Sequence, residues 1–517
     1  MTVIAQVRSW LRAASRREQA GTAMAAAALA ALVGLSLLPA PAERPVATIE
    51  PGGAAPTEVV DAPAGASAAV VPVGPHPTNV NAVGSTVPAS AAPIEPPATV
   101  GDGGSPGRLT ATDRGVSADS IRIGFAIAGF AGATQAGIVT GVRTDVSSAI
   151  DALVDHANER GGVLGRRIEP FTVMPDLAQP ADQRQKCLEL TETNEVFAVV
   201  DSFAFFYESA TACITTEHQT LLISGNPGTS ERVRRGFPFH VSLYKDHNRK
   251  MKDLVAAAAG AGFFSPANGF TRLGVFDEGC FPSMYDAADD GLDRYLTDAG
   301  VASWTEFRVG CGDVAGAQRG GAEAVLRFQQ DDVSHVLLIA RPPFVEGYLD
   351  AAARARFYPE YFAGDYFNLV LGALADEYEP EGFDGTLAVT STHAGEGTIG
   401  KPLSPLAQQC STIFTDRGVD PVAAEPPDDI GDDIEVLQLC EGFLLFLQVA
   451  AAAGPNLTRA TFVDALARTG EFRGATVDLA RFDRPAKMTG GDTMKLVQWH
   501  ASCRCWKELT AFAPAAG

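Results

Sequence analysis

From Ser117 onward short β-type runs alternate with helical periods, which is the pattern of βαβ units wound around a parallel sheet. The strand Ile121 to Ala126 comes first. A helical period follows, in which Ile138, Val142, Val146, Ala149, Ile150, Leu153, Val154 and Ala157 fall three or four residues apart and Gly161-Gly162 supplies the stop. Strands are expected at Ile168–Val173, Phe197–Val200 and Leu221–Ser224, with helices over Gln183–Glu192 and Glu208–His218. The alternation then restarts, with strands at Leu273–Phe276, Thr305–Val309, Val336–Ile339, Tyr361–Ala363 and Leu387–Thr390. Helices near Met284–Ala299, Gly316–Gln330 and Val345–Ala355 separate them, and helices at Asp433–Ala453 and Thr458–Thr469 precede a last strand at Met494–Trp499. Two successive α/β sets imply two lobes.

The first hundred or so residues cannot join that fold. Arg8, Arg12, Arg16 and Arg17 precede an uncharged Ala/Leu-rich run from Gln19 to Ala42, the arrangement of an export signal. Ala40-Pro41-Ala42 permits cleavage before Glu43, and Ala20 to Leu38 is long enough to remain as a membrane helix, so residues 1–42 read as a signal peptide or a signal anchor. Either way the bulk of the chain is extracytoplasmic, secreted or anchored to the cell membrane. No cysteine follows the apolar run, which excludes a bacterial lipid anchor. Residues 43–114 are Pro, Ala, Gly, Val, Ser and Thr with almost no aromatic side chain, a composition that cannot bury enough apolar surface to offset its ordering entropy. They read as a disordered stalk, reaching about 3 Å per residue where proline enforces polyproline II geometry.

A net charge of −22 excludes nucleic acid and anionic membrane surfaces as partners, since both require a basic patch. Eight cysteines in an exported chain read as disulfides, and none stands in a paired CxxC arrangement that would make a structural zinc site. No G-x-S-x-G, H-E-x-x-H or P-loop is present, and no dense His/Asp/Glu set falls on the strand-end loops, so an enzyme is not expected. No cofactor is implied.

The residues resemble a known family, the type I periplasmic binding proteins, and within it the branched-chain amino acid branch of ABC transporters. The most specific stretch is Val154-Asp-His-Ala-Asn-Glu-Arg-Gly-Gly-Val-Leu-Gly-Arg-Arg-Ile168, which is similar to the family's first helix, double-glycine turn and second strand. Val196–Val200, Leu221–Ser224, Arg272–Phe276, Gly382–Leu387, Leu457-Thr-Arg459 with Phe462, and Val497–His500 follow in the family's order. The resemblance spans about Ser117 to Ala511. It implies an α/β fold of two Rossmann-like lobes joined by a three-stranded hinge: 117–243 with 391–490 in lobe 1, and 244–390 with 491–517 in lobe 2. It implies a small-molecule ligand captured in the cleft, an amino acid or related carboxylate, by a monomer that delivers it to an ABC permease. An envelope-tethered sensor or scaffold is the competing reading.

Loops from both lobes are expected at the cleft. The loop Gly129–Gln135, with Phe130, Thr134 and Gln135, opens a helix whose amides could cradle a carboxylate, though a plain strand-to-helix turn needs no ligand. The resemblance places carboxylate-binding hydroxyls at Ser202 and in the loop Ser224, Asn226 and Gly228. Phe203, Phe205 and Phe206 depart from the family's serine-rich pattern and point either to a more apolar or aromatic ligand or to lobe core. In lobe 2 the resemblance makes Phe281 a lid, brings Phe344 to a cleft loop, and sets Asp365 and Tyr366 where relatives pair a ligand ammonium. Asp365 needs a cation or a helix N-terminus, because a buried unpaired carboxylate is costly. The family also implies a bridge between Cys187 and Cys213. Cys280 and Cys311 both follow lobe 2 strands and could clip two cleft loops, and Cys410 with Cys440 would pin an insertion to the long helix. For Cys503 and Cys505 a bridge closing so tight a ring is strained, and a metal set with His500 ranks below a disulfide role, so no metal is expected.

Overall fold

The computed structural model describes residues 109–129, 146–177, 179–279, 291–310, 314–365, 370, 378, 380–393, 396, 400–419, 432–483 and 487–515. The leader and all but the last few residues of the expected stalk lie outside that set, as do 138–145 and 284–290 of the expected helices.

The first sheet contains β1 (Ser120–Ala126), β2 (Arg167–Val173), β3 (Ala198–Asp201), β4 (Leu221–Ser224) and β5 (His240–Val241). All pairs are parallel and the order is β2-β1-β3-β4-β5. Every residue of β3 and β4 is buried, because helices cover both faces of a parallel sheet. The period of two splits the strands cleanly. Ala198, Val200, Leu221 and Ile223 join one core, and Val199 and Leu222 join the other.

On the first face pack α1 (Val146–Glu159) and, from far downstream, α9 (Pro405–Thr415), α10 (Asp432–Ala453) and α11 (Arg459–Thr469). The second face carries α2 (Pro180–Leu188) and α3 (Glu208–Ala212), each of which widens into a π-helical turn, Glu189–Thr193 and Cys213–Glu217. The helix α10 is apolar on all sides because it runs through the middle of the first core: Phe443 meets Phe125, and Phe446 stacks on Phe462 at 5.7 Å. Burial of each ring contributes roughly 2–3 kcal/mol. After α1 the double glycine turns the chain back into β2. A Cβ on Gly162 would lie 1.9 Å from the carbonyl oxygen of Arg166, so no other residue fits.

The helices α4 (Ser230–Arg235) and α5 (His247–Gly260) follow β4 and β5. Although α5 directly follows the first sheet in sequence, its Met251, Leu254 and Val255 belong to the second sheet's core. That sheet contains β6 (Leu273–Glu278), β7 (Trp304–Val309), β8 (His335–Ile339), β9 (Glu360–Gly364) and β10 (Leu387–Thr390), parallel in the order β7-β6-β8-β9-β10. The helices α6 (Val314–Gln330), α7 (Pro342–Ala355) and α8 (Pro380–Phe383) lie along it, and residues 291–298 are helical. A small hairpin pairs β11 (Glu471–Phe472) with β12 (Ala480–Arg481). The strands β13 (Thr493–His500), β14 (Cys505–Glu508) and β15 (Ala513–Pro514) then extend the second sheet antiparallel. The two parallel portions therefore wind identically: second strand, first, third, fourth, fifth.

The chain passes between the two sheet-centred bodies three times, after β5, after β10 and before β13. Isolated bridges pair Ser242 with Thr489 and Thr392 with Val477, so the passages are tied to neighbouring backbone. On α10 the carboxylate of Glu441 accepts hydrogen bonds from the Tyr244 hydroxyl (2.5 Å), the Thr476 hydroxyl (2.6 Å) and the amides of Ala475 and Thr476 (2.7 and 2.9 Å). Burial raises its pKa, and these donors oppose the rise.

Three bridges form among the described cysteines: Cys187–Cys213, Cys410–Cys440 and Cys503–Cys505. Cys280 and Cys311 lie outside the described residues. Four helices were not anticipated, the short α4 and α8 and the longer α5 and α9. Asp246 caps α5 by accepting from the Arg249 amide (3.1 Å), and Ser404 caps α9 by accepting from that of Ala407 (3.1 Å), but α5 is alanine-rich and gives little apolar periodicity. Replacing Cys187 and Cys213 together by alanine removes a cross-link between residues 26 apart and buried in the first sheet's second core. Denaturant unfolding of that variant is expected to show a loss of about 3 kcal/mol.

Candidate functional site

In open α/β sheets the carboxyl ends of the strands leave a crevice where the strand order reverses. Here the reversals fall between β1 and β3 in the first sheet and between β6 and β8 in the second. The two are brought close to each other. The loop after β3 carries Phe206, which packs against the core of the second sheet, and Tyr207, whose phenol feels the positive charge of Arg341 at the end of β8. Burial pushes the Tyr207 pKa up and Arg341 draws it partly back.

The first-sheet edge is organised by Asp201, the last residue of β3. Its Oδ1 accepts the Ala204 amide (2.6 Å) and its Oδ2 the Ser224 hydroxyl (2.8 Å), so one carboxyl group ties the loops after β3 and β4 together. Burial pushes its pKa up to about 6, against those hydrogen bonds and the nearby charge of Arg232. Arg232 itself is buried; its guanidinium donates to the carbonyls of Phe206 (2.8 Å) and Phe205 (2.5 Å), clamping the phenylalanine loop. Desolvation lowers its pKa to about 10, so it stays cationic at neutral pH. The two loops press together at Gly225, where a Cβ would sit 1.4 Å from the Ser202 carbonyl oxygen.

The second-sheet edge carries two ion pairs. Glu278, at the end of β6, accepts the Arg341 amide (2.8 Å) and Nε (2.6 Å), and Asp277 accepts Arg308 Nε (2.7 Å). Arg341 is the N-cap residue of α7 and lies over the Phe344 ring at 5.3 Å.

The expected site residues fall as follows. Ser202 is buried, and its hydroxyl donates to Glu435 Oε1 (3.1 Å), which also accepts the Ala128 amide (2.9 Å). Phe203 is half-buried and meets Phe206 edge to face at 6.4 Å, while Phe205 is fully buried in the first sheet's second core. Ser224 serves Asp201 and accepts the Asn226 amide (3.0 Å); Asn226 Oδ1 in turn accepts the Gly228 amide (3.2 Å), and the Gly228 carbonyl accepts the His247 amide (2.8 Å). Phe344 is buried within the second core, so in that turn it is Arg341 that approaches Tyr207. Asp365 Oδ2 accepts the amide (2.5 Å) and hydroxyl (2.6 Å) of Ser391, and its carbonyl accepts Lys250 Nζ (3.2 Å). Phe130, Thr134, Gln135, Phe281 and Tyr366 lie outside the described residues. Glu435, Lys250 and Arg341 went unread in the sequence. Arg341 had a local signal, a cation directly before Pro342-Pro343 at a strand end; Glu435 and Lys250 reach their partners across the fold and had none.

A cavity of about 600 Å³ opens elsewhere, between the first and third passages, lined by Phe237, Arg249, Lys252, Arg481, Lys487 and Pro514 among others. Its charges are largely spent on neighbours: Arg249 and Lys487 both pair with Asp492, and Arg481 with Glu471. It is a salt-bridged seam and contains none of the strand-end loop residues above. Cys187, Cys213 and His218 also converge, but both sulfurs are spent in the disulfide.

A family model described as a periplasmic binding protein matches residues 133–504. Among solved structures, a branched chain amino acid ABC transporter protein from Thermus thermophilus with bound valine is similar at a TM-score of 0.59 and 14% identity, covering 77% of this chain and 98% of that one. A fatty acid ABC transporter substrate-binding protein from Thermomonospora curvata is similar at 0.55 and 15% identity, covering 79% and 95%. A solute binding protein of an ABC transporter from Rhodopseudomonas palustris BisB5, in complex with 3,4-dihydroxy benzoic acid, is similar at 0.52 and 12% identity, covering 77% and 98%. At these identities the likeness is one of fold. No curated protein sequence matches the chain.

Asp201 generates a pH prediction. Its folded pKa of about 6 lies above the ordinary value of 3.8, so the stability it contributes is complete below pH 4 and is lost as pH rises through 6. Wild type is expected to lose up to about 3 kcal/mol over that window relative to Asp201→Asn, read by urea unfolding at pH 4 and pH 7. Parallel pH profiles for the two proteins would contradict this.

Proposed function

Since the chain belongs to the periplasmic binding protein family, whose members bind substrates rather than transform them, we propose that it captures a small molecule between its two sheet-centred bodies, outside the cytoplasm, for ABC-type import. The lobes in this reading are 117–243 with 391–490, and 244–390 with 491–517. The three passages between them act as a hinge, and closure around the ligand is the working motion. The observation that carries the reading is the pair of neighbouring strand-order reversals, with Phe206 beside one packing against the core of the other sheet and Tyr207 feeling the charge of Arg341. A crevice of this kind is where α/β folds bind ligands.

The lining favours a ligand with an apolar or aromatic body. Phe203 and Phe206 stand where the resemblance implies hydroxyl residues, and rings bury large area with few polar demands. Phe281 is the proposed lid.

A thermal-shift screen of residues 109–517 over amino acids, amides, short peptides, fatty acids and aromatic acids tests the proposal. A ligand at a hundred times its dissociation constant stabilises by about 2.7 kcal/mol. For a hit, Phe206→Ala is expected to remove most of the shift, and small-angle scattering to show a more compact particle with ligand. A shift untouched by Phe206→Ala, with unchanged scattering, would place binding elsewhere.

A further inference from the structure

Ser202 and Ala128 flank the strand-order reversal of the first sheet, following β3 and β1. An amide and a hydroxyl converging on one point at the carboxyl ends of parallel strands form a donor set suited to a carboxylate oxygen. In this chain the oxygen is already there. Glu435, in the first turn of α10 and only 4% exposed, places Oε1 at 2.9 Å from the Ala128 amide and 3.1 Å from the Ser202 hydroxyl. The helix N-terminus favours its negative charge.

The position where the resemblance pairs a ligand ammonium is satisfied in the same way. Asp365 is held by both donors of Ser391, and Lys250 reaches its carbonyl. Burial lowers the Lys250 pKa while the Asp365 charge supports its protonated form, so the two groups are electrostatically matched. A ligand ammonium finds its counter-charge engaged, and a ligand carboxylate finds its donors engaged.

We infer that Glu435 is a built-in carboxylate occupying the seat of an anionic head group, which makes it a specificity-determining residue that restricts the cleft to uncharged, apolar-bodied ligands. The inference rests on the capture reading above. A second carboxylate brought to the same donors would meet Glu435 at contact distance, and two such charges cannot both remain ionised in a buried site. Neutral ligands carry no such penalty.

The probes are phenylacetate, its neutral isostere phenylacetamide, leucine and formate, titrated by calorimetry against wild type, Ser202→Ala, Glu435→Ala, Glu435→Gln and Glu435→Ala/Ser202→Ala. Phenylacetate is expected to bind Glu435→Ala at least tenfold more tightly than wild type, with the gain lost in the double variant. Glu435→Gln is expected to show no gain, because its amide oxygen still accepts from Ala128 and Ser202. Phenylacetamide is expected to discriminate little between wild type and Glu435→Ala. Tight binding of leucine or phenylacetate to wild type, abolished by Ser202→Ala, overturns the inference while leaving capture in the cleft intact, and that arm decides even if Glu435→Ala does not fold. A gain for formate without phenylacetate also overturns it, since it would mark a sealed structural pocket. If no probe binds any variant and the wider screen is also silent, the capture reading itself falls.

Discussion

A carboxyl group removed from water costs several kcal/mol unless hydrogen bonds or a counter-charge replace the solvent, and this protein places acids at the strand ends where its two bodies meet. Asp201 is held by an amide and a hydroxyl, Glu435 by another amide and hydroxyl, Glu278 by Arg341, and Asp365 by Ser391. Apart from the Asp201–Ala204 bond, which lies within one loop, each bond joins different segments. The strand-end loops therefore take their shape from the need to satisfy buried oxygens, and Gly225 is the position where two of them come too close for a side chain.

The same need extends to the passages between the bodies. Glu441, deep on α10, accepts from Tyr244 of the first passage and from Thr476, whose neighbour Val477 bridges to Thr392 of the second. Around the third, Arg249 and Lys487 meet on Asp492. These contacts are made by side chains on α5, on α10 and on the connecting segments rather than on the sheets. The identical winding of the two parallel portions gives each body one reversal, and Phe206 and Tyr207 beside the first come near the second sheet.

Much of the architecture was legible in the sequence for simple physical reasons. Buried parallel strands such as Leu221–Ser224 and Leu387–Thr390 read as short apolar runs, and the helix ending at Gly161-Gly162 reads through its period and its stop. The expected helix over Glu208–His218 is present as α3 plus a π-helical turn, a distinction of one extra residue per turn that apolar spacing does not register. The phenylalanine loop was ambiguous because three rings within four residues carry no sign of which faces the core. Phe205 is core, Phe203 is half-buried and Phe206 reaches the other body, and the clamp that sorts them comes from Arg232.

Composition and periodicity by themselves determined that the chain is an α/β protein with two successive sets of parallel strands, and order along the chain was enough to suggest its family. Those properties are local: they depend on residues within a few positions of one another. The return of 391–490 to the first lobe came with the resemblance, but only the tertiary structure decided that Phe344 belongs to the core, and that Glu435 and Lys250 meet Ser202 and Asp365. The Ser202–Glu435 contact spans 233 residues and the Lys250–Asp365 contact 115, and partners at such separations leave no pattern in a single sequence. Burial and the cost of an unpaired polar group select them, and both exist only once the chain has folded.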